Sequence, residues 1–597
     1  MHQTTILGSD GEVKIPRCPK AAGLPISRRR EVNGPRGHRQ ALSSGDGASP
    51  VAQNIYDAII FAHPRPFGPG TALPCLTTIP FVIEWLGVWA FEINECLEYV
   101  CFHMGVIMTK YDKYNLAALF LLFALQCLPC PAKEYHIDSQ KQFDALSRTI
   151  FLAGDSILFK RGVQFNGMFA PLGNGAEEAP IRIDVYGSGE RPRINSHGKH
   201  LAGVFLQDPS YWEVNGLEIT NTDGTDKDQG ELFGIYVLAK GTEGTYKHIY
   251  INDCYIHDVN GKVSGKERGG IHVHVKGLES SLIHDLRITN NRIVRVGGVG
   301  IGNASSCGRV EFREHDTICH YLWTNVYVAG NYIDSTGRNN VIARVSKDAV
   351  YEYNVLANSS RYDTGHSIFC FNTDGIRIQY NEAYGNVGDD GKDRGGFDAD
   401  YNCVNTFIQY NYSHDNMWFC GIMKRRNRNA VIRYNVSQND KEGIYFYGFE
   451  NAREATGIHV YNNTHFVGKG FDVSVFPEGR TPINTLFENN IFFFEGQGTW
   501  GKHADGINTS FHNNLYFNIS PHKSDTSPIA ADPMLVQPGI AGTDIDLKTM
   551  AALRGYRLKL GSPCIDTGVK IDNHGGKDLL RTKVTIGKAD IGAFERD

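Results

Sequence analysis

One short phrase recurs along the second half of the chain: alternating β-forming residues, then asparagine, then a hydrophobe two or three positions on. It reads Ile288-Thr-Asn-Asn291, Val328-Ala-Gly-Asn331, Tyr351-Glu-Tyr-Asn354, Ile378-Gln-Tyr-Asn381 and Ile408-Gln-Tyr-Asn411. It continues as Ile432-Arg-Tyr-Asn435, Val460-Tyr-Asn-Asn463, Phe487-Glu-Asn-Asn490 and Phe511-His-Asn-Asn514. From Asn331 onward the asparagines are 23 to 30 residues apart. Period-2 strands between Gly, Asn and Asp turns, at a spacing that varies while the phrase does not, predict a solenoid with variable loops and strands in register. A leucine-rich repeat would need a leucine scaffold, and a propeller blade would need roughly 40–50 residues. The recurring asparagine is expected to be scaffold, its amide bonding to the backbone of the next coil.

Composition agrees with this pattern. Among 597 residues there are 65 Gly, 28 Tyr and 32 Phe but only 8 Met, a turn-rich and β-leaning mixture. With 60 Lys+Arg against 65 Asp+Glu the net charge is −5, which argues against a nucleic-acid binder held by counterion release. Hydrophobic residues at 41% and charged residues at 21% exclude a disordered chain.

Residues 1–107 resemble nothing that follows and are expected to be a mis-assigned, unstructured upstream extension. From Met108 a charged start, the apolar run Leu116–Leu125 and a small-residue end at Ala132 have the three parts of a secretory signal peptide, residues 108–132. Export to the periplasm or cell exterior is expected, with no membrane span in the mature chain. Seven of the 13 cysteines follow this segment without a CxxC, so a metal or disulfide framework is not expected.

Three further stretches carry a family resemblance. They are the opening region Leu152–Gly162 with Val185–Ile194, the middle Gly396-Phe-Asp-Ala-Asp400 with Gln409–Asn416, and the closing Leu560–Gly568 with Asp590-Ile-Gly-Ala-Phe-Glu595. The chain resembles the right-handed parallel β-helix proteins of the pectate-lyase-like superfamily of secreted carbohydrate-active enzymes. The resemblance implies an all-β solenoid over residues 133–530, a short capping helix near Gln140–Leu146, and a C-terminal closing segment over 531–597. It also implies a polysaccharide or oligosaccharide substrate; a monomer is expected.

Aligning the strands by a leading small residue stacks Asn340–Arg344, Ser367–Phe371, Gly396–Asp400, Gly421–Arg425, Gly443–Tyr447 and Gly470–Ser474. Side chains alternate faces along a strand, so the apolar second position points inward. One outward row then holds Ile342, Phe369, Asp398, Met423 and Tyr445, and the other Arg344, Phe371, Asp400, Arg425 and Tyr447. His272 and His274 extend the rows upstream. In this alignment Arg425 keeps Asp400 ionised as base or nucleophile, while Asp398, between apolar neighbours, is raised toward general-acid duty. Their Cα atoms should lie about 6.7 Å apart on one face, a spacing compatible with glycoside hydrolysis.

Arg344, Phe369, Phe371, Tyr445, Tyr447, His272, His274 and His414 are the candidate substrate contacts, although His414 also suits a turn. Lys424 falls on the inward set, a sign of local irregularity. Asp389, Asp390 and Asp393 could hold Ca²⁺; otherwise no cofactor is expected. A glycosidase is the first reading. A polysaccharide lyase using Arg425, Lys424 or a tyrosine on a uronic-acid polymer is the second, and a non-catalytic carbohydrate-binding solenoid the third.

Overall fold

The computed structural model describes residues 132–596, apart from 241–243, 264, 277–280, 307–320, 387, 389–392, 449–453, 478–479, 586 and 588. The expected extension, residues 108–131 of the expected signal peptide, Asp389 and Asp390 lie outside the described residues. Among these residues the chain forms three parallel sheets, of fourteen, fourteen and eleven strands. Successive strands within a sheet come from successive turns of the coil, giving a right-handed parallel β-helix. Its interior is a continuous column of Ile, Val and Phe, as the period-2 pattern requires.

The asparagines stack one above another at a single corner. Asn354 Nδ2 donates to Val328 O at 3.0 Å and to Asn381 Oδ1 at 3.0 Å, and Asn381 repeats the pattern toward Tyr351 and Asn411. Each amide thereby pairs backbone groups that the tight corner would otherwise leave buried and unsatisfied. The residue before each asparagine takes a left-handed backbone conformation, with φ of 56° at Tyr353, 52° at Tyr380 and 58° at Tyr410. This costs a non-glycine residue about 1–2 kcal/mol. The rings at these positions stack, Tyr380 on Tyr410 with centroids 5.1 Å apart, which offsets part of that cost.

The helix Gln140–Leu146 caps the first coil by burying Phe143 against Phe159, Phe165 and Phe169. Residues from Leu535 to Phe594 run back along the outer face of the second sheet, where they share an apolar cluster with Tyr412, Val436 and Phe466. The segment expected to close the end thus covers a flank. His414 helps to hold it there. His414 Nε2 lies 3.1 Å from Glu382 Oε1, and Glu382 Oε2 accepts the Ile545 N–H at 2.9 Å. Burial opposes the charged imidazole, but its bonds to Asp415 and Glu382 outweigh burial and push His414 up to about 8.

A group raised above its unfolded value of about 6.5 contributes stability in full below that pH and loses it as pH rises through the folded value. The chain should therefore lose about 2 kcal/mol between about pH 6 and 9 from this group. Thermal melts of wild type and His414→Gln across that range should converge as the pH rises.

Candidate active site

The third sheet carries the candidate chemistry. Its register pairs Ile342 with Phe369 and Phe369 with Asp398, and it pairs Arg344 with Phe371, so the predicted rows hold through Asp400. Upstream, His272 and His274 sit on the strand Gly269–Val275 with His272 paired to Gly302 and Tyr236. Both histidines are buried beside Phe233 and Tyr236, and burial brings His272 down to about 3, leaving it neutral.

Beyond Asp400 the predicted rows slip. Asp398 pairs with Gly421 instead of Met423, and Ala399 with Ile422. One step further along this register Asp400 faces Met423, with Arg425 past the strand end. In the following coil Cys420 pairs with Tyr445 and Ile422 with Tyr447. These two tyrosines therefore point into the core, where their hydroxyls bond to His465 Nε2 and Thr485 Oγ1, each at 2.8 Å. Lys424 is also buried, its Nζ donating to Thr481 O at 3.4 Å. His414 belongs to the second sheet, under the C-terminal segment. The structure thus brings Asp398, Asp400, Phe369, Phe371 and Arg344 to one face and leaves Tyr445, Tyr447, Lys424 and His414 elsewhere.

Three residues, His366, Asp393 and Lys266, complete the site beside that strip. His366, just before the strand Ile368–Phe371, places Nε2 at 3.3 Å from Asp398 Oδ2 and 3.8 Å from Asp393 Oδ1. The Gly395 N–H donates to His366 Nδ1 at 3.1 Å. That bond assigns the ring proton to Nε2, facing the two carboxyls. Burial lowers His366 to about 4, so the ring facing them is neutral. Gly395 and Gly421 make room for this arrangement: a Cβ at Gly421 would come within 2.7 Å of Asp398 Oδ1 and 2.9 Å of His366 Cε1. Lys266 lies on the loop before the strand Gly269–Val275, with Nζ 4.7 Å from the centre of the Phe369 ring.

The three carboxyls differ in access. The Asp398 side chain is 2% exposed and the Asp393 side chain 33%. Burial, then Asp400 and Asp393, hold Asp398 well above the usual carboxylate range. Burial also pushes Asp400 up to about 8; Lys266 pulls it down, and Asp393 adds to the rise. Asp400 Oδ1 accepts the Tyr401 N–H at 2.7 Å, which fixes its carboxyl. With Met423 where Arg425 was expected, burial sets the protonation of Asp400, which is raised instead of held ionised, while Asp398 is raised as expected. Asp400 holds a proton near neutral pH. Asp398 is walled in by His366 and Gly421. Asp393 is the more open carboxyl. Among the described residues no three His, Cys, Asp or Glu side chains converge as metal ligands.

The chain is similar to a lacto-N-biosidase. Over 555 residues it is 28% identical to the enzyme of that name from Bifidobacterium longum subsp. longum, covering 74% of this chain. The chain spans about a third of that relative, 34% of its length. Among solved structures, the GH136 lacto-N-biosidase from Eubacterium ramulus aligns at 20% identity over 67% of both chains, with a TM-score of 0.46. An alginate lyase from Paenibacillus sp. str. FPU-7 aligns at 16% identity over 60% of this chain and 97% of its own, with a TM-score of 0.34. No family model matches the chain.

Proposed function

We propose that the protein is an exported glycoside hydrolase acting on an oligosaccharide, with Asp400 as general acid and Asp393 as the second carboxylate. The observation that carries this reading is a carboxyl raised to about 8, Asp400, together with a more open one, Asp393, whose charge reaches it. Glycoside hydrolysis needs one carboxyl protonated to release the leaving oxygen and one ionised to act on the anomeric carbon or on a water. Here one wall supplies a buried carboxyl raised to about 8 and a more exposed one. His366 and the buried Asp398 form the backing of that wall, with His366 Nε2 close to both carboxyls.

The named relative supports an oligosaccharide ending in lacto-N-biose as the first substrate to try. The apolar run Leu116–Leu125 supports export. Incubation with p-nitrophenyl lacto-N-bioside and a panel of uronate polymers should release nitrophenol and the disaccharide from the first. The ultraviolet absorbance of unsaturated uronates should not rise with the second. Unsaturated product without nitrophenol would replace hydrolysis by β-elimination.

A further inference from the structure

The loop before the strand Gly269–Val275 lies over the candidate site and is anchored directly after Lys266. Glu267 reaches Arg344 at 3.5 Å, and Arg268 binds Asp228 at 3.2 Å and the Gly230 carbonyl at 3.0 Å. The turn Gly297–Gly298 supports the loop from beneath; a Cβ at Gly298 would come within 2.5 Å of Arg268 O and 2.8 Å of Gly265 O. A lysine directly before two anchored residues, its ammonium set over an aromatic ring, has little freedom to swing to solvent. Phe369, the ring beneath it, pairs with Asp398 on the adjacent strand, about 4.8 Å away.

The cations around the site have different roles. Arg338 is paired with Asp363, and Arg344 with Glu267. Lys266 makes no ion pair among the described residues. Its charge acts on the carboxyls of the site.

We infer that Lys266 is a positioning residue for the acid: from above the Phe369 ring its charge sets the pH at which Asp400 releases its proton. This rests on the glycosidase reading. The charged and titratable groups facing Asp400 are Asp393 and Asp398 from its own strand region, Tyr401 after it, Cys370 from the strand before, and Lys266 from the loop. Arg338 and Arg344 surround the lysine. Burial and the two arginines in turn lower Lys266, while Asp400 and Asp393 hold it up, so lysine and carboxyls form one electrostatic unit.

Removing the cation should raise the Asp400 midpoint by about one to two pH units, the ordinary effect of a nearby opposite charge. The experiment compares wild type, Lys266→Met, Lys266→Gln and Lys266→Arg. In kcat/KM profiles the alkaline limb, where the acid loses its proton, should move upward in the Met and Gln variants and return in Arg. In parallel, carbodiimide labelling of Asp400, followed by peptide mass spectrometry across pH, reads its protonation without any substrate. A labelling midpoint that stays put in a folded Met or Gln variant overturns the inference. A midpoint that moves in a protein hydrolysing no glycoside sustains it and overturns the functional reading instead.

Discussion

Replacing Asp400 with asparagine should lower kcat by about 10²–10⁴-fold, the usual contribution of a positioned general acid, with little change in KM. The same substitution should make the fold more stable at alkaline pH. A carboxyl raised to about 8 favours the folded state least where the unfolded chain has already ionised. The penalty grows as pH rises from about 4, the unfolded value, to about 8, and asparagine removes it. Asp393→Asn should be as damaging to turnover but should leave the alkaline limb of the profile in place. A substrate with a good leaving group, which needs no acid, should rescue the Asp400 variant and not the Asp393 variant. Kinetics with nitrophenyl and natural leaving groups separate the two roles, and equal rescue of both variants would refute the assignment.

The second large effect concerns the fold. Asn381→Ala should cost about 3–5 kcal/mol, because it strands several buried groups at once. The Asn354 N–H and Nδ2 both donate to Asn381 Oδ1 at 3.0 Å, and Asn381 Nδ2 donates to Tyr351 O at 2.9 Å and Asn411 Oδ1 at 3.1 Å. Asn381→Asp should be no better, since an acid keeps the acceptor but turns its other oxygen toward a carbonyl. Urea denaturation read by far-ultraviolet circular dichroism gives both values. A loss below about 1 kcal/mol for Asn381→Ala would mean that the corner is held by the strands alone.

The scaffold was legible because it is written in repetition. Alternation gave the strands, and the asparagine gave the corner where amides stack. The faces were correct for Val341, Ile368 and Phe397, which all lie in the core. The alignment then slipped because glycine was taken as a marker of strand position. Gly421 is small for another reason, to leave space for the Asp398 carboxyl and the His366 ring. A residue chosen by its neighbour in the next coil cannot be told, from one chain, from a residue chosen by its place in the strand. At Gly443 the slip turned odd, and Tyr445 and Tyr447 moved from the predicted outer face to the interior. His366 and Lys266 escaped notice for a related reason. Both reach the carboxyls from segments outside the aligned strands, on connections whose length follows no period. The hint for His366 was its place directly before an aligned strand, one coil from Asp398.

The carboxyl wall has several coils on either side of it in the same sheet. Since each coil leans only on its two neighbours, the ends of the cylinder can grow or shrink by whole turns without altering the chemistry at its middle. The sheet face is thus adjustable in length independently of its reactive centre. An engineer wishing to accommodate longer glycans would splice complete turns near Gly203 or beyond Thr499, and leave untouched the three strands that bear Phe369, Asp398 and Gly421.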